Sequence, residues 1–204
     1  MSVAKYLMSF TTGGLYLNES VAVARLYSPG TAWDDLIGDA VQFGAFPVRK
    51  ENSARRTIRE ITNRLRQLSD DEIVFFCEAE RADQLAFLWL AACRAYRFIR
   101  EFSVQILSDR FLTGRYEITY GDFDAFYERK AEWAPELAKI TTSTRLKLRA
   151  VLFRMMREAE ILSEDNRIQS ALLSSRFVRY VVTCNKDEIS IFPGGERLAK
   201  GVLP

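Results

Sequence analysis

The sequence predicts an all-α, mainly helical protein, and three observations support this fold class. Apolar residues recur at helical spacing along most of the chain. Gly and Pro punctuate the first 50 residues and then become rare. The longest apolar run, residues 85–93, is far shorter than the roughly 20 residues of a membrane span, so it reads as a buried helix. We predict a helical globule with two helix-turn-helix-like units around a long central helix, and a possible short C-terminal β-hairpin.

Three regions follow from this pattern. Residues 1–80 form an N-terminal helical unit with a helix-turn-helix-like segment. Residues 81–118 hold the long central helix. Residues 119–204 form a C-terminal helical unit that resembles a winged helix and ends in an irregular tail. Apolar residues make up 48% of the chain and charged residues 27%, which is ordinary globular composition.

In the N-terminal unit, Asn18 and Thr31 are predicted to cap helices at residues 19–27 and 32–43, and a third helix follows at 54–68. The third helix carries an apolar stripe spaced by three and four residues, as one helix face requires. The stripe consists of Ile58, Ile61, Leu65 and Leu68.

Asp70 is predicted to cap a short helix that ends near residue 80. The central helix is predicted at residues 83–112, because it is apolar nearly all round and such a helix belongs inside a structure. Its aromatic residues could stack bases, but at this spacing they indicate core.

In the C-terminal unit, Thr119 caps a predicted helix at residues 120–133, with Asp122 completing an approximate capping box. Pro135 stops this helix or opens a short successor. Residues 141–143 supply the cap of a strong helix that runs to about residue 162, followed by a turn.

The tail looks less regular. Residues 177–183 and 188–192 are rich in β-branched and aromatic side chains, which predicts two short strands forming a hairpin or a wing. The last dozen residues contain several glycines and are expected to be mobile.

Basic charge is gathered into two segments. Residues 49–66 hold seven Lys and Arg and two acids, a net charge of +5, and residues 139–157 hold six Lys and Arg and no acid, a net charge of +6. The whole chain carries only +2, so the remainder is acidic at −9. This asymmetry is typical of a protein that meets phosphate backbones, although two solvated helix faces would give the same count.

Each basic segment ends a run of helices, which is where a helix-turn-helix presents its recognition helix to the major groove. Guanidinium groups fit both phosphates and guanine edges. The long connector at residues 44–52 argues against a tight turn in the first unit. The predicted DNA-binding residues are Arg49, Lys50, Arg55, Arg56, Arg59, Arg145, Lys147, Arg149 and Arg154.

Composition argues against several catalytic classes. The chain has no histidine, which removes Ser–His and Cys–His nucleophile pairs and the usual Cys/His zinc sites. Cys77, Cys93 and Cys184 are scattered and are expected to be reduced thiols. Acidic clusters at helix starts favour the helix dipole rather than metal binding. We therefore expect no catalytic, metal or cofactor site. The start of the chain shows no secretory signal, so we expect a cytoplasmic protein that does not span a membrane.

Four stretches resemble the BrxA family of bacterial phage-exclusion (BREX) systems, and the resemblance extends from residue 9 to about residue 162. The stretches are SFTTGGLYLNES (9–20), WLAACRAYRFIREF (89–102), DFDAFYERKAEW (122–133) and TRLKLRAVLFRMMREAEIL (144–162). The resemblance implies a compact helical protein encoded beside a DNA methyltransferase and an ATPase. It also implies DNA binding through helix-turn-helix elements, and it supplies no catalytic residue.

The leading hypothesis is thus a non-catalytic protein that binds duplex DNA with limited sequence preference and helps a phage-defence complex engage DNA. Two alternatives remain open. The basic surfaces could dock acidic partner proteins in an adaptor, or they could bind RNA, because a basic helical surface does not by itself distinguish nucleic acids.

Overall fold

A computed structural model describes residues 5–11, 13–42 and 51–202 of the chain. It confirms the predicted fold class, because these residues form a mainly helical globule. Within this described part, β-structure is limited to isolated antiparallel bridges.

The helices follow one another closely along the chain, with short turns between most of them. Their bounds are α1 (Leu17–Leu26), α2 (Trp33–Gln42), α3 (Glu51–Leu65), α4 (Asp70–Glu78), α5 (Arg81–Ala95), α6 (Arg97–Phe102), a π-helical segment (Ser103–Ser108), α7 (Asp109–Leu112), α8 (Tyr120–Ala131), α9 (Pro135–Ala138), α10 (Thr142–Glu158), α11 (Ser175–Asn185), a 3₁₀ helix (Lys186–Ile191) and α12 (Gly195–Val202).

The N-terminal unit is built by α1, α2 and α3, which pack on one another and, through α1 and α3, on α5. The predicted stripe of α3 is confirmed, since Ile58, Ile61 and Leu65 are buried. The connection between α2 and α3 lies outside the described residues, so a helix-turn-helix in this unit stays a prediction.

The central helix is not one continuous element. It breaks at Tyr96, whose backbone is extended (φ −127°, ψ 97°), and it continues through α6, the π-helical segment and α7. Tyr96 is fully buried, and its hydroxyl donates to the Glu60 carboxylate at 2.7 Å. This tertiary contact outweighs the local helical propensity of the sequence. The predicted burial is confirmed, because every residue from Leu85 to Cys93 is buried.

The structure confirms the predicted cap of α8 and corrects the predicted caps of α4 and α1. Thr119 caps α8 in a capping box with Asp122, as predicted. The start of α4 is capped by Ser69 with Glu72, not by Asp70. At α1 the predicted cap, Asn18, lies inside the helix, which begins after a left-handed Tyr16.

The predicted C-terminal hairpin is wrong, because residues 177–183 lie in α11 and residues 188–191 in the 3₁₀ helix. Phe177, Val178 and Val181 are buried at one-turn spacing, so their β-branched character does not decide the local structure. Ser174 caps the helix by accepting from the Phe177 N–H at 3.0 Å.

The irregular tail expected at the end of the chain is instead helical from Gly195 to Val202, because α12 packs against α11. The expected mobility stays a prediction. Gly194 and Gly195, at the start of this helix, allow a close approach of the backbone. Gly194 has a positive φ of 80°, and a Cβ on Gly195 would lie 2.4 Å from the Ile189 carbonyl oxygen.

The predicted turn after α10 is present. The Asn166 N–H donates to the Ser163 carbonyl at 3.1 Å, and an antiparallel bridge joins Leu162 and Ile168 across the turn. A short β-bridged turn therefore follows the second basic helix directly, instead of the hairpin expected later in the chain.

Candidate nucleic-acid interface

The first basic surface lies on the outer face of α3. Ala54 and Ile58 face inward, whereas Arg55, Arg56 and Arg59 are exposed. Arg56 and Arg59 form no ion pair within the part of the chain that the structure describes. The two other predicted residues of this segment, at positions 49 and 50 (Arg49 and Lys50), lie outside the described residues.

Two further arginines of the basic segment 49–66, Arg64 and Arg66, already have acidic partners. Arg64 is buried, where its Nε donates to Glu60 at 2.8 Å and its Nη1 to the Gly14 carbonyl at 2.8 Å. Arg66 pairs with Asp34 at 3.3 Å. The net charge of the segment therefore overstates the positive charge that reaches solvent.

On α10, the arginines near the start face the acids of α8. Arg145 pairs with Glu128 at 3.2 Å and lies 3.5 Å from Asp124, and Arg149 pairs with Asp124. Arg149 also stacks over the Tyr120 ring at 4.5 Å. Both guanidinium groups are half-buried and already have carboxylate partners.

The other two predicted cations of α10 point into solvent. Lys147 and Arg154 are exposed, seven residues apart on one helix face, and neither forms an ion pair among the described residues. Leu148 and Leu152 occupy the opposite, buried face. The structure thus divides the predicted residues of α10 into an acid-paired set and an exposed set.

The two basic helices meet at the loop that precedes α1. Glu158, one turn after Arg154, accepts a hydrogen bond from the Leu15 N–H. From the other side, the Gly14 carbonyl accepts a hydrogen bond from Arg64 of α3 at 2.8 Å. Burial raises the pKa of Tyr16, so the hydroxyl stays neutral at physiological pH. The loop 13–17 therefore contacts both α3 and α10.

A buried polar cluster of Glu60, Arg64 and Tyr96 lies next to this loop. Glu60 accepts from both Arg64 and the Tyr96 hydroxyl, so its carboxylate is satisfied although it is almost fully buried. Burial, together with the Glu60 charge, raises the pKa of Tyr96 to about 12. The phenol therefore remains a proton donor, and the cluster holds α3 against the break between α5 and α6.

Residues with metal-binding or nucleophilic potential are scattered. In the described ranges, no three His, Cys, Asp or Glu side chains come together as a metal site. Cys93 is fully buried, and burial raises the pKa of its thiol to about 12. Cys77 is half-buried and Cys184 exposed.

No helix in the described ranges has both the length and the apolar character that crossing a bilayer requires.

The fold and this surface define a mainly helical protein with two basic helices joined at a glycine loop. The family model for BrxA matches residues 4–184, and the chain belongs to the BrxA family. It is 22% identical over 179 residues to the BREX protein BrxA of Bacillus cereus (strain H3081.97), covering 86% of this chain and 90% of that protein.

A solved structure shares the fold. The crystal structure of an uncharacterized protein from Magnetospirillum magneticum matches with a TM-score of 0.77 at 19% identity, covering 93% of this chain and 98% of the other.

Sequence patterns identified the basic helices but not the residues that join them. Glu158 and Leu15 are 143 positions apart, and no motif links them. Likewise, the division of the α10 arginines depends on the acids of α8, 17 to 25 positions earlier in the chain. The local signal was the absence of acids from residues 139–157, and it overstated the free charge of α10.

Proposed function

We propose that this protein is a non-catalytic accessory of a BREX phage-exclusion system that binds duplex DNA through its two basic helices. Membership of the BrxA family, together with the BREX protein BrxA of Bacillus cereus, supports the role in phage exclusion. DNA binding is supported by the exposed cations of α3 and α10.

The observation that carries the proposal is the exposure of four cations on two helices that contact the same loop. These cations are Arg56, Arg59, Lys147 and Arg154. Loop 13–17 contacts α10 through Glu158 and α3 through Arg64, and the proposal is that the exposed cations of both helices meet one duplex. Phosphate contacts of this kind give affinity without reading sequence, so limited sequence preference is expected.

The test is a titration of a labelled duplex, followed by fluorescence anisotropy at several salt concentrations. Reversing charge on α3 with Arg56→Glu and Arg59→Glu should weaken binding by roughly tenfold or more, because attraction to phosphates becomes repulsion. Both side chains are exposed, so the fold should be retained.

The matched control reverses two exposed cations elsewhere, Arg179→Glu with Lys186→Glu, which changes the net charge equally. If both double variants lose the same affinity, binding reflects net charge and not α3. If the unmodified protein fails to bind duplex even at low salt, the adaptor hypothesis replaces DNA binding. Stronger competition by duplex RNA than by duplex DNA would favour the RNA hypothesis.

A further inference from the structure

A second candidate site lies apart from the two basic helix faces. A pocket of about 710 Å³ opens between the N-terminal segment, the start of α6 and the connection from α8 to α9. This volume falls in the range of roughly 300–1,000 Å³ that is typical of small-ligand sites. Its lining includes Trp133, Tyr6 and the cations Lys5, Arg97, Lys130 and Lys139.

Trp133 is the most exposed large apolar side chain of the described residues, with 86% of its surface accessible. It follows the last turn of α8, where its neighbours Ala134 and Leu137 turn into the core. Leaving an indole in water forfeits the large gain that its burial would bring. On a pocket wall, this exposed ring is available to stack on a ligand with a flat apolar face.

Two cations of the pocket are held in place by one carboxylate. Glu101 accepts from Arg97 at 2.6 Å, from Lys130 at 2.5 Å and from the Tyr6 hydroxyl at 2.7 Å. Burial opposes ionisation of Glu101, but these hydrogen bonds outweigh it and lower its pKa. One negative charge therefore orients two positive charges, and the cluster stays net positive.

The remaining cations of the pocket are less constrained. Lys5 and Lys139 are exposed, and neither forms an ion pair within the described part of the chain. The nearby Glu136 accepts from the Tyr6 N–H at 2.8 Å, and this hydrogen bond lowers its pKa. With Glu101 and Glu136 counted against the four cations, the pocket keeps a net charge of +2.

We propose that this pocket binds a nucleotide with an unpaired base, with the base stacked on Trp133 and the phosphate held by Lys139 and Lys5. A nucleotide has both a flat ring, which can stack on Trp133, and an anionic phosphate, which Lys139 and Lys5 can bind. A base inside a duplex has both faces covered by its neighbours, so the site selects unpaired nucleotides. The proposal does not rest on duplex binding by α3 and α10.

The experiment measures binding of a labelled single-stranded oligothymidylate by fluorescence anisotropy. Trp133→Ala should weaken binding by roughly 5- to 150-fold, because the base loses the aromatic ring on which it stacks. Trp133→Phe keeps an aromatic ring and should retain most of the affinity. Lys139→Ala should reduce the slope of log affinity against log salt by about 0.7, the value for one phosphate contact on a single strand.

A second readout uses the indole itself. Trp89 is buried, and Trp33 is stacked on Tyr27 at 4.4 Å. Quenching of tryptophan fluorescence by oligothymidylate should therefore come from Trp133, and it should disappear in Trp133→Phe. Thymidine monophosphate distinguishes the two sources of the ligand. Equal quenching by the monophosphate identifies a free nucleotide, and quenching by the oligonucleotide alone identifies a nucleic-acid strand.

Controls separate this site from the duplex surface. Arg179→Glu with Lys186→Glu should leave oligothymidylate binding intact, and Trp133→Ala should leave duplex binding intact. The proposal is overturned if Trp133→Ala binds oligothymidylate as tightly as the unmodified protein. It also fails if inorganic phosphate competes fully, or if neither oligothymidylate nor thymidine monophosphate binds.

Discussion

Gly14 lies where α3, α10 and the N-terminal loop come together. A Cβ at this position would lie 2.1 Å from the carboxylate oxygens of Glu158, which accepts a hydrogen bond from the next N–H along the chain. The Gly14 carbonyl accepts from the buried Arg64 at 2.8 Å. A residue without a side chain thus lets one loop bind both basic helices.

We expect Gly14→Ala to lower the free energy of unfolding by about 1 kcal/mol, because the added methyl group displaces the Glu158 carboxylate, which then loses its hydrogen bond from the Leu15 N–H. Urea denaturation measures the change. The matched control is Gly121→Ala in the first turn of α8, where a Cβ would only approach Thr119 Oγ1 at 3.4 Å. This control should be neutral or slightly stabilising. Equal effects of the two substitutions would show that Gly14 tolerates a side chain.

Residue-scale features were predictable from sequence where the contact is local. The capping box of Thr119 and Asp122 spans three positions, so its pattern is visible in the sequence. The role of Gly14 was not predictable, because its partner Glu158 is far away in the chain. The sequence shows where the glycines are, but only the fold places Gly14 beside the carboxylate of Glu158.

At the scale of elements, Arg94 of α5 joins α4 to the C-terminal 3₁₀ helix. Its guanidinium donates to Glu72 at 2.6 and 2.8 Å and to Glu188 at 2.8 and 2.7 Å. Both carboxylates are buried. Glu72 also completes the capping box at the start of α4, so the same carboxylate serves a helix cap and an inter-helix contact.

We expect Arg94→Met to lower the free energy of unfolding by about 3–5 kcal/mol, because it leaves two buried carboxylates without a cation. Thermal or urea denaturation measures this. As a control, Arg115→Ala removes an exposed pair with Asp109 and should change stability by at most about 1 kcal/mol. A loss below about 1 kcal/mol for Arg94→Met would mean that water or rearranged side chains replace the guanidinium.

The elements themselves were predictable in proportion to their periodicity. The apolar stripe of α3 could be predicted because a helix with one exposed face repeats its apolar residues at a spacing of three and four. The break at Tyr96 could not be predicted. Residues 85–93 of α5 are buried on all sides, so the sequence there shows no alternation of polar and apolar faces whose interruption would mark the end of the helix. The sequence of α11 predicts a strand from its β-branched residues, but burial of Phe177 and Val181, which are one helical turn apart, stabilises a helix.

For the whole molecule, the two basic segments of the sequence correctly located the basic helices, but their net charges did not predict the surface. Arg64 is buried against Glu60, and Arg145 and Arg149 face the acids of α8. Charge counts ignore partners that are distant in sequence. What reaches solvent is a smaller set of cations on two helices bound by one loop.

If both basic helices engage one duplex, removing the exposed cations of α10 should reduce the salt dependence of binding even when α3 is intact. Lys147→Ala with Arg154→Ala should decrease the slope of log affinity against log salt by about 1.8, since each phosphate contact on duplex DNA contributes about 0.9. Anisotropy titrations at several salt concentrations give the slope.

The control uses the same helix and the same change in charge. Arg145→Ala with Arg149→Ala removes cations already paired with α8, so it should leave the slope near that of the unmodified protein while lowering the melting temperature. An unchanged slope in the Lys147 and Arg154 variant would assign DNA contact to α3 alone. A reduced slope in the Arg145 and Arg149 variant would mean that these arginines leave Asp124 and Glu128 for phosphates on binding. The comparison therefore separates free charge from paired charge on one helix, which the charge of the sequence alone cannot do.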